Sequence, residues 1–181
     1  MRRVLYMDLN RCIYCRACEV ACEREHAGLS NMFVQLINEQ FALPVNCRHC
    51  ETSPCTLACP THAIHRDGEN PVVVSPMQCI GCGLCSLACP FGAVWVDVVN
   101  HVARKCDLCV HRLESGLEPA CVASCSSRAI AYGEMEEMLE IARSRNGRTL
   151  ISRAAGSSGT VITLPVAWTA YLEDQEEVMT W

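Results

Sequence analysis

Sixteen cysteines dominate this 181-residue sequence, and they fall into four groups of four with none left over. The first and third groups have the spacing Cys-x2-Cys-x2-Cys-x3-Cys, whereas the middle gap is four residues in the second group and eleven in the fourth. The groups are Cys12, Cys15, Cys18 and Cys22; Cys47, Cys50, Cys55 and Cys59; Cys79, Cys82, Cys85 and Cys89; and Cys106, Cys109, Cys121 and Cys125. Thiolates at such short spacings are typical ligands of soft metal ions and of metal clusters.

Three chemistries compete for these cysteines. A disulfide bridge needs Cα atoms about 4.4–6.8 Å apart with suitable side-chain directions, which four closely spaced cysteines satisfy poorly. Structural zinc sites join two separated pairs of cysteines, a pattern that only the fourth group could imitate. A Cys-x2-Cys-x2-Cys run instead surrounds three corners of a [4Fe–4S] cube, and the fourth cysteine reaches the other cluster of a two-cluster unit. The spacing therefore favours [4Fe–4S] clusters.

An internal repeat accompanies the fourth cysteine of three groups. The three copies are Cys59–Ile64 (CPTHAI), Cys89–Val94 (CPFGAV) and the weaker Cys125–Ile130 (CSSRAI). Gly92 indicates a backbone angle that His62 and Arg128 must adopt in the other two copies. The alanine that follows each of them suggests that the chain passes close to a cluster there. We expect His62 itself to be a surface turn residue and not a ligand.

The composition limits the function classes. Apolar residues make up 50% of the chain but aromatic residues only 6%, and the formal net charge is −5. This charge argues against nucleic-acid binding, which needs a basic face. No apolar run reaches the roughly 18 residues of a membrane span. Asp8, Asn10 and Arg11 interrupt the N-terminal segment where the apolar stretch of a signal peptide would lie, so we expect no secretory or twin-arginine signal. The expected location is therefore the reducing cytoplasm, unless a partner protein carries the chain across a membrane.

Short elements should position the cysteine loops, with a helical turn after each loop. The further predicted elements are a strand at Arg3–Asp8, a strand at Pro71–Ser75, a hairpin of Ala93–Val99 and His101–Arg104 turning at Asn100, a helix at Glu134–Arg145 ending before Gly147, and a hairpin of Thr149–Ser152 and Val161–Leu164 around a tip at 154–159. The methionines of the predicted helix, Met135 and Met138, should pack in the core. An acidic tail follows, with Trp168, Tyr171 and Trp181.

The cysteine motifs resemble those of the four-cluster iron–sulfur subunit of DMSO-reductase-type molybdenum and tungsten enzymes. The segments that carry the resemblance are Val45–Cys50 (VNCRHC), Ser53–Thr61 (SPCTLACPT), Lys105–Cys109 (KCDLC) and Gly116–Cys125 (GLEPACVASC). The resemblance covers residues 1 to about 133. Glu23 and Ser126 stand where the family often has a proline after the fourth cysteine. That departure affects the length of a local helix and removes no ligand.

The resemblance, together with the spacing, implies four [4Fe–4S] clusters whose fourth cysteines cross over between groups. The second and third groups pair as in a two-cluster ferredoxin, and the first and fourth pair as they do in the family. The implied ligand sets are Cys47, Cys50, Cys55 and Cys89; Cys79, Cys82, Cys85 and Cys59; Cys12, Cys15, Cys18 and Cys125; and Cys106, Cys109, Cys121 and Cys22.

The implied fold is α+β, with two tandem, pseudo-symmetric modules that each resemble a two-cluster bacterial ferredoxin. One module is nested in the other. The expected boundaries are 1–46 with 100–133 for the outer module, 47–99 for the inner module, and 134–181 for a C-terminal extension made of a helix and a hairpin.

The implied function is that of a non-catalytic electron-transfer subunit of an anaerobic oxidoreductase complex. Its partner would be a large catalytic subunit, with a molybdenum- or tungsten-pterin aldehyde or formate oxidoreductase favoured, and a flavin- or nicotinamide-linked subunit as a further possible partner. The alternatives are a free polyferredoxin, a partner of carbon monoxide dehydrogenase or hydrogenase, and a metalloenzyme maturation factor. Self-stacking of copies into a longer conductor is a further hypothesis.

Charge should influence both the clusters and their partners. Each oxidised cubane with four thiolates carries about −2, so the loaded protein is strongly acidic and a partner's docking surface should be basic. Arg48 and His49 lie inside a cysteine loop. Their side chains either raise the potential of a cluster or point to solvent, and the sequence leaves both alternatives open.

Overall fold

The computed structural model describes residues 3–37, 41–68, 70–145, 149–151 and 160–163. Its largest sheet has four strands in the order β8-β1-β10-β9. The strands are β1 (Arg3–Asp8), β8 (Ile130–Glu134), β9 (Thr149–Ile151) and β10 (Thr160–Thr163). β1 pairs antiparallel with β8 and parallel with β10, and β10 pairs antiparallel with β9. The N-terminal strand is therefore central in the sheet, and five of its six residues are buried.

The two faces of β1 pack against different parts of the molecule. Val4 and Tyr6 pack against Met138 and Ala142 of the long helix α6. Leu5 points the other way, into an apolar cluster that contains five buried cysteines. This alternation follows from the two-residue period of a strand. The strand thus joins an ordinary helix-on-sheet core to the cysteine-rich part of the molecule.

Within the described residues, three two-stranded antiparallel hairpins lie outside this sheet. They are β2 (Phe33–Ile37) with β3 (Phe41–Val45), β4 (Ile64–His65) with β5 (Val73–Val74), and β6 (Val94–Asp97) with β7 (Val102–Lys105). Such short ribbons have little intrinsic stability. The β4–β5 and β6–β7 hairpins are held by buried cysteines against which Ile64, Val72, Val94 and Ala103 pack. Val34 of β2 and Ala42 of β3 pack in another cluster that also contains buried cysteines.

Six helices complete the described part of the fold, and most are only one turn long. They are α1 (Ala17–Glu25), α2 (Pro54–Leu57), α3 (Leu84–Ala88), α4 (Val110–Glu114), α5 (Ala120–Ala123) and α6 (Met135–Ser144), with a 3-10 turn at Pro76–Gln78. Helix α1 packs against α5, and α2 packs against α3. The helices of the first and fourth cysteine groups are therefore neighbours, as are those of the second and third. In the described segments no helix is both long and apolar enough to cross a membrane.

Most of the predicted elements are confirmed. The strand at residues 3–8, the helix near 134–145 and the hairpin around Asn100 are all present. The predicted C-terminal hairpin also pairs as expected, although Gly147, the tip at 154–159 and the tail at 168–181 lie outside the described residues. The strand predicted from Pro71 to Ser75 is shorter in the structure, where only Val73 and Val74 form β5. Pro71 offers no N–H to a partner strand.

Four strands were not predicted from the sequence: β2, β3, β4 and β8. Pro44 in β3 and Gly133 in β8 both argue against a strand interior. Pro44 is tolerated because β3 has a partner on one side only. Gly133 lies beneath α6, where an added Cβ would be 2.8 Å from side-chain atoms of Glu137 and Met138. Both atoms are the flexible ends of side chains, so a larger residue there would only oblige Glu137 and Met138 to move aside, and glycine lets α6 pack without that adjustment.

Candidate iron–sulfur centres

The four Cys-x2-Cys loops share one backbone feature. In each loop the residue before the second cysteine has a positive φ: Tyr14 56°, His49 46°, Gly81 67° and Leu108 59°. This left-handed turn directs the backbone N–H back toward the first cysteine. His49 N donates to Cys47 Sγ at 3.4 Å, and Leu108 N donates to Cys106 Sγ at 3.4 Å. Donors placed in this way stabilise a thiolate, the form that binds metal.

The repeat around the fourth cysteines forms a second shared geometry. His62, Gly92 and Arg128 have φ values of 54°, 60° and 52°, which confirms that the two side-chain-bearing residues adopt the glycine-like angle. His62 is exposed, which is consistent with a turn residue. The alanines that follow, Ala63, Ala93 and Ala129, are all buried. The N–H groups of the last two donate to Cys89 Sγ at 3.4 Å and to Cys125 Sγ at 3.2 Å.

Cys22 lacks this repeat and is held differently. Its sulfur accepts a hydrogen bond from Asn31 N at 3.2 Å and lies 3.6 Å from Nδ1 of His26. His26 Nδ1 is also 2.8 Å from the Cys22 carbonyl, and its Nε2 is 3.0 Å from Asp107 Oδ1. The hydrogen bonds to Asp107 and Cys22 raise the pKa of His26 to about 11, so the ring is a cation that faces an anion. Burial opposes ionisation of Asp107, but the hydrogen bonds from His26 and from the Cys109 N–H, together with the charge of His26, outweigh it and lower the pKa of Asp107 to about 2.

The structure brings the sixteen cysteines together in four sets of four, and none of them is in a disulfide bridge. Each set takes three cysteines from one group and the fourth from another. The Cys22 set and the Cys59 set each line one enclosed pocket. The Cys12 set and the Cys47 set are linked by electrostatic interactions among their thiols. The Cys12 set is Cys12, Cys15, Cys18 and Cys125; the Cys22 set is Cys22, Cys106, Cys109 and Cys121; the Cys47 set is Cys47, Cys50, Cys55 and Cys89; and the Cys59 set is Cys59, Cys79, Cys82 and Cys85.

These thiols do not ionise readily by themselves. Burial raises the pKa of Cys18 to about 12 and that of Cys55 to about 11, and it also raises the pKa of Cys106 and of Cys121. Cys22 is an exception: burial opposes ionisation, but the hydrogen bonds from His26, Asn31 and Ser30 and the charge of His26 together outweigh it and lower the pKa of the thiol. Four crowded, mostly buried thiols can all become thiolates only when cationic metal compensates their charge. The donor sets and their N–H···S contacts therefore fit the [4Fe–4S] clusters expected from the sequence.

The four sets follow one another through the molecule. Cysteines of the Cys59 and Cys47 sets share one apolar cluster. Cys47 lies near Cys106, which links the Cys47 set to the Cys22 set. Cys121 in turn interacts with Cys18 of the Cys12 set. The two middle sets are mostly buried, whereas each end set exposes one cysteine, Cys15 at one end and Cys82 at the other.

The structure also decides where the charged residues of the second loop point. Arg48 and His49 are buried, so the alternative that they face solvent is wrong. His49 Nδ1 accepts a hydrogen bond from Val72 N at 3.1 Å, so this ring nitrogen carries no proton. Sequence reasoning missed two more cations beside the Cys47 set, Lys105 and Arg66. Lys105 immediately precedes a cysteine motif, which could have drawn attention to it, but nothing in the sequence marks Arg66.

Comparisons with known proteins agree with this architecture. A model of the 4Fe–4S dicluster domain matches residues 37–135. The thiosulfate reductase electron transfer subunit PhsB of Salmonella typhi is 37% identical over 172 residues, which are 87% of this chain and 88% of that protein. A chain of the anaerobic dimethyl sulfoxide reductase of Escherichia coli K12 is 33% identical over 157 residues, 74% of each of the two proteins. A subunit of the tetrathionate reductase of Salmonella typhimurium is 36% identical over 148 residues, 75% of this chain but only 59% of the relative.

The fold and the cysteine sets define a ferredoxin-like iron–sulfur protein with mixed helices and strands. The chain belongs to the family of iron–sulfur electron-transfer subunits of DMSO-reductase-type oxidoreductases. This membership confirms the predictions of [4Fe–4S] cofactors and of a non-catalytic role in an oxidoreductase complex.

Proposed function

We propose that this protein relays single electrons through four [4Fe–4S] clusters, between a catalytic oxidoreductase subunit and a second redox partner. The observation that carries the proposal is the continuous order of the sets, Cys59–Cys47–Cys22–Cys12, with buried sets in the middle and an exposed cysteine at each end. Such an order gives electrons a path through the interior and two places to enter or leave. The clusters supply the one-electron redox chemistry, and the protein supplies their spacing, burial and charge environment.

Each set is proposed as the ligand shell of one cluster, which uses all sixteen cysteines. Each proposed module contains the two cysteine groups that exchange their fourth cysteines. Residues 1–46 with 100–133 form the outer module, 47–99 form the inner module, and 134–181 follow as an extension. The packing of α1 on α5 and of α2 on α3 supports this nesting. In both modules a helix from one cysteine group lies against a helix from the paired group.

The proposed partner is the large catalytic subunit of a molybdenum or tungsten enzyme. The relatives are named for thiosulfate, tetrathionate and dimethyl sulfoxide reductases, which supports a reductase of a small sulfur compound as the first candidate. The aldehyde or formate oxidoreductase favoured by the motif resemblance is the second candidate. Partner docking would occur where apolar side chains surround the exposed cysteines, such as Ile13 near Cys15 and Ile80 near Cys82.

Cluster content tests the core of this proposal. The protein purified anaerobically should contain about 16 iron atoms and as many acid-labile sulfides, because four cubes use every cysteine. A reproducible content of about 8 iron atoms, or stoichiometric zinc, would refute four cubanes. Co-purification from native cells with a large catalytic chain would support the subunit role, whereas a monomeric carrier would support the polyferredoxin alternative.

The crossed pairing is tested separately. Cys22→Ser should alter the resonance signature of the cluster held by Cys106, Cys109 and Cys121, and it should leave the cluster beside Cys12 unchanged. Cys125→Ser is the matched variant, because it should affect the cluster of the Cys12 set instead. If each substitution perturbs only the cluster of its own sequence group, the crossed pairing is wrong.

A further inference from the structure

A cavity of about 280 Å³ runs along the free edge of β8. β8 is the outermost strand of the four-stranded sheet, and β1 is its partner there. The lining residues come from both faces of this sheet: Glu137 lies on α6, whereas Leu113 packs in the cluster of Leu5 on the opposite face. A cavity bounded from both faces opens at the strand edge. We call it the β8 groove; its floor is residues 132–134, and its walls are Leu113, Leu117, Glu118 and Glu137.

The pairing of β8 with β1 leaves backbone groups of Tyr132 and Glu134 directed away from β1. Asp8 N donates to the carbonyl oxygen of Ala129 at 2.8 Å, so these two residues form a hydrogen-bonded pair. In an antiparallel ladder such pairs alternate with pairs whose members do not bond to each other. Tyr132 and Glu134 lie an odd number of positions beyond Ala129, so both belong to pairs of the second kind. Their N–H groups and the carbonyl oxygen of Tyr132 therefore point out of the sheet edge.

An unpaired strand edge is a template for another extended chain. Segments of partner proteins bind in this way by adding a strand, with affinity from main-chain hydrogen bonds and specificity from side-chain pockets. The β8 groove offers both parts, because the apolar side chains of Leu113 and Leu117 stand beside the edge. Leu117 is 52% exposed, so it is available to a side chain that enters the groove.

Negative charge surrounds the β8 groove. Three carboxylates border it, those of Glu118, Glu134 and Glu137, whereas Arg3 is the one cation of the described lining. The Arg3 side chain interacts with that of Tyr132. The ion pairs of the described residues involve other carboxylates, so these three are not neutralised by a partner there. The groove therefore favours an occupant that carries lysine or arginine.

The same charge disfavours the two occupants that this chain could supply. A second copy docked edge to edge about a two-fold axis would bring Glu134 and Glu137 toward the same residues of its mate. The C-terminal segment beyond β10 carries four acidic residues between positions 173 and 177. Because like charges brought together at an interface oppose binding, a basic segment of a different protein is the better fit.

We propose that the β8 groove binds an extended segment of another protein, which bears lysine or arginine and adds to β8 as a further strand. The inference rests on the proposed function for one point, the source of the segment, which is the oxidoreductase partner of the relay. The described lining of the groove contains no cysteine. The groove thus attaches the partner, and the exposed ends of the cysteine sets exchange electrons with it.

A short peptide of alternating lysine and valine, titrated into the full-length, cluster-loaded protein, tests strand addition. Glu134→Pro and Glu134→Gln form the critical pair, since both lack the carboxylate and only proline lacks the N–H. Glu134 has a φ of −68°, which proline also adopts, and its N–H points away from β1, so the β1–β8 pairing is retained. Glu134→Pro should bind the peptide about fivefold more weakly than Glu134→Gln, the value of one net hydrogen bond.

Glu137→Gln tests the contribution of charge. It should weaken binding of the lysine peptide by about threefold at low ionic strength. Glu140→Gln is the matched control, because Glu140 is an exposed glutamate of the same helix outside the groove lining. This control should leave the affinity almost unchanged. A peptide of alternating glutamate and valine should not bind.

Hydrogen exchange gives a second measurement on the unaltered protein, which is needed if Glu134→Pro loses iron. The lysine peptide should slow exchange at the amides of Tyr132 and Glu134, and unchanged exchange would refute strand addition. Equal affinities of Glu134→Pro and Glu134→Gln would refute it as well, and equal binding of both peptides would refute the charge argument.

Two outcomes would assign the groove to this chain and overturn the proposal. One is displacement of the lysine peptide by a peptide of residues 164–181, and the other is an unaltered protein that dimerises while Glu134→Pro stays monomeric. Iron content tests the relay and not the groove: a protein with fewer than four clusters that still binds the lysine peptide in the predicted order would refute the relay alone.

Discussion

Replacing Gly81 by alanine should damage one cysteine loop far more than its small size suggests. Gly81 lies between Cys79 and Cys82 with a φ of 67°. An added Cβ would be 2.5 Å from the carbonyl oxygen of His101 and 3.2 Å from its carbonyl carbon. Both atoms are backbone atoms in the turn between β6 and β7, so no side-chain rotation can relieve the contact. Either the loop or the hairpin must move.

Two costs add up in Gly81→Ala. Holding a non-glycine residue in the left-handed region costs about 1–2 kcal/mol. Forcing an extra carbon into a packed site costs about 1–3 kcal/mol more. The sum of about 2–5 kcal/mol corresponds to at least a roughly thirtyfold change in the equilibrium between the intact and the opened loop, at about 1.4 kcal/mol for each factor of ten.

Gly92→Ala provides the matched control. Gly92 has nearly the same φ, 60°, but an added Cβ would meet nothing within 4 Å. This variant should therefore carry only the conformational cost of about 1–2 kcal/mol. The difference between the two variants isolates the contact with His101.

Anaerobic denaturant titrations that follow the visible absorption of the clusters would measure this difference. Gly81→Ala should lose cluster absorption at a clearly lower guanidinium concentration than Gly92→Ala, and its iron content after purification should be lower. If both variants lose their clusters at the same concentration, the close approach of the His101 carbonyl to the Cys79–Cys82 loop is wrong.

Three further perturbations have defined outcomes. Glu19→Gln should destabilise the protein by about 1–3 kcal/mol in chemical unfolding. The reason is that the buried carboxylate accepts the N–H of Val34 and so connects α1 to β2. An unchanged unfolding midpoint would contradict that role. Deletion of residues 149–181 removes both strands beyond β1, so the truncated chain should aggregate or lose iron, and a monomer with full iron content would show that the sheet does not need them. Anaerobic chelation of iron should abolish cooperative unfolding, because the clusters replace much of an ordinary core; a compact apo-protein with intact near-ultraviolet signals would contradict this.

The chemistry of the site and much of its local geometry can be predicted from the amino-acid sequence. The cysteine spacings favour iron–sulfur clusters over disulfides and zinc, and the repeat predicted the angle that His62 and Arg128 share with Gly92. These features are predictable because they are local: a positive φ and an N–H···S contact such as that from Ala129 to Cys125 involve residues only a few positions apart. The amphipathic helix α6 was predictable for the same reason, since its buried Met138 and Ala142 repeat within one helical turn.

The meeting of distant segments depends on tertiary packing. β10 pairs in parallel with β1, although more than 150 residues separate Leu5 from its partner Thr160, and Pro44 and Gly133 lie in strands that their residue types disfavour. The order of the four cysteine sets depends on the approach of Cys47 to Cys106, and the charge around the Cys47 set depends on Lys105 reaching the carbonyl of Val72, 33 residues earlier. Local sequence carries no signal for such contacts, because they exist only once the hairpins and cysteine loops have packed and excluded water from the groups between them.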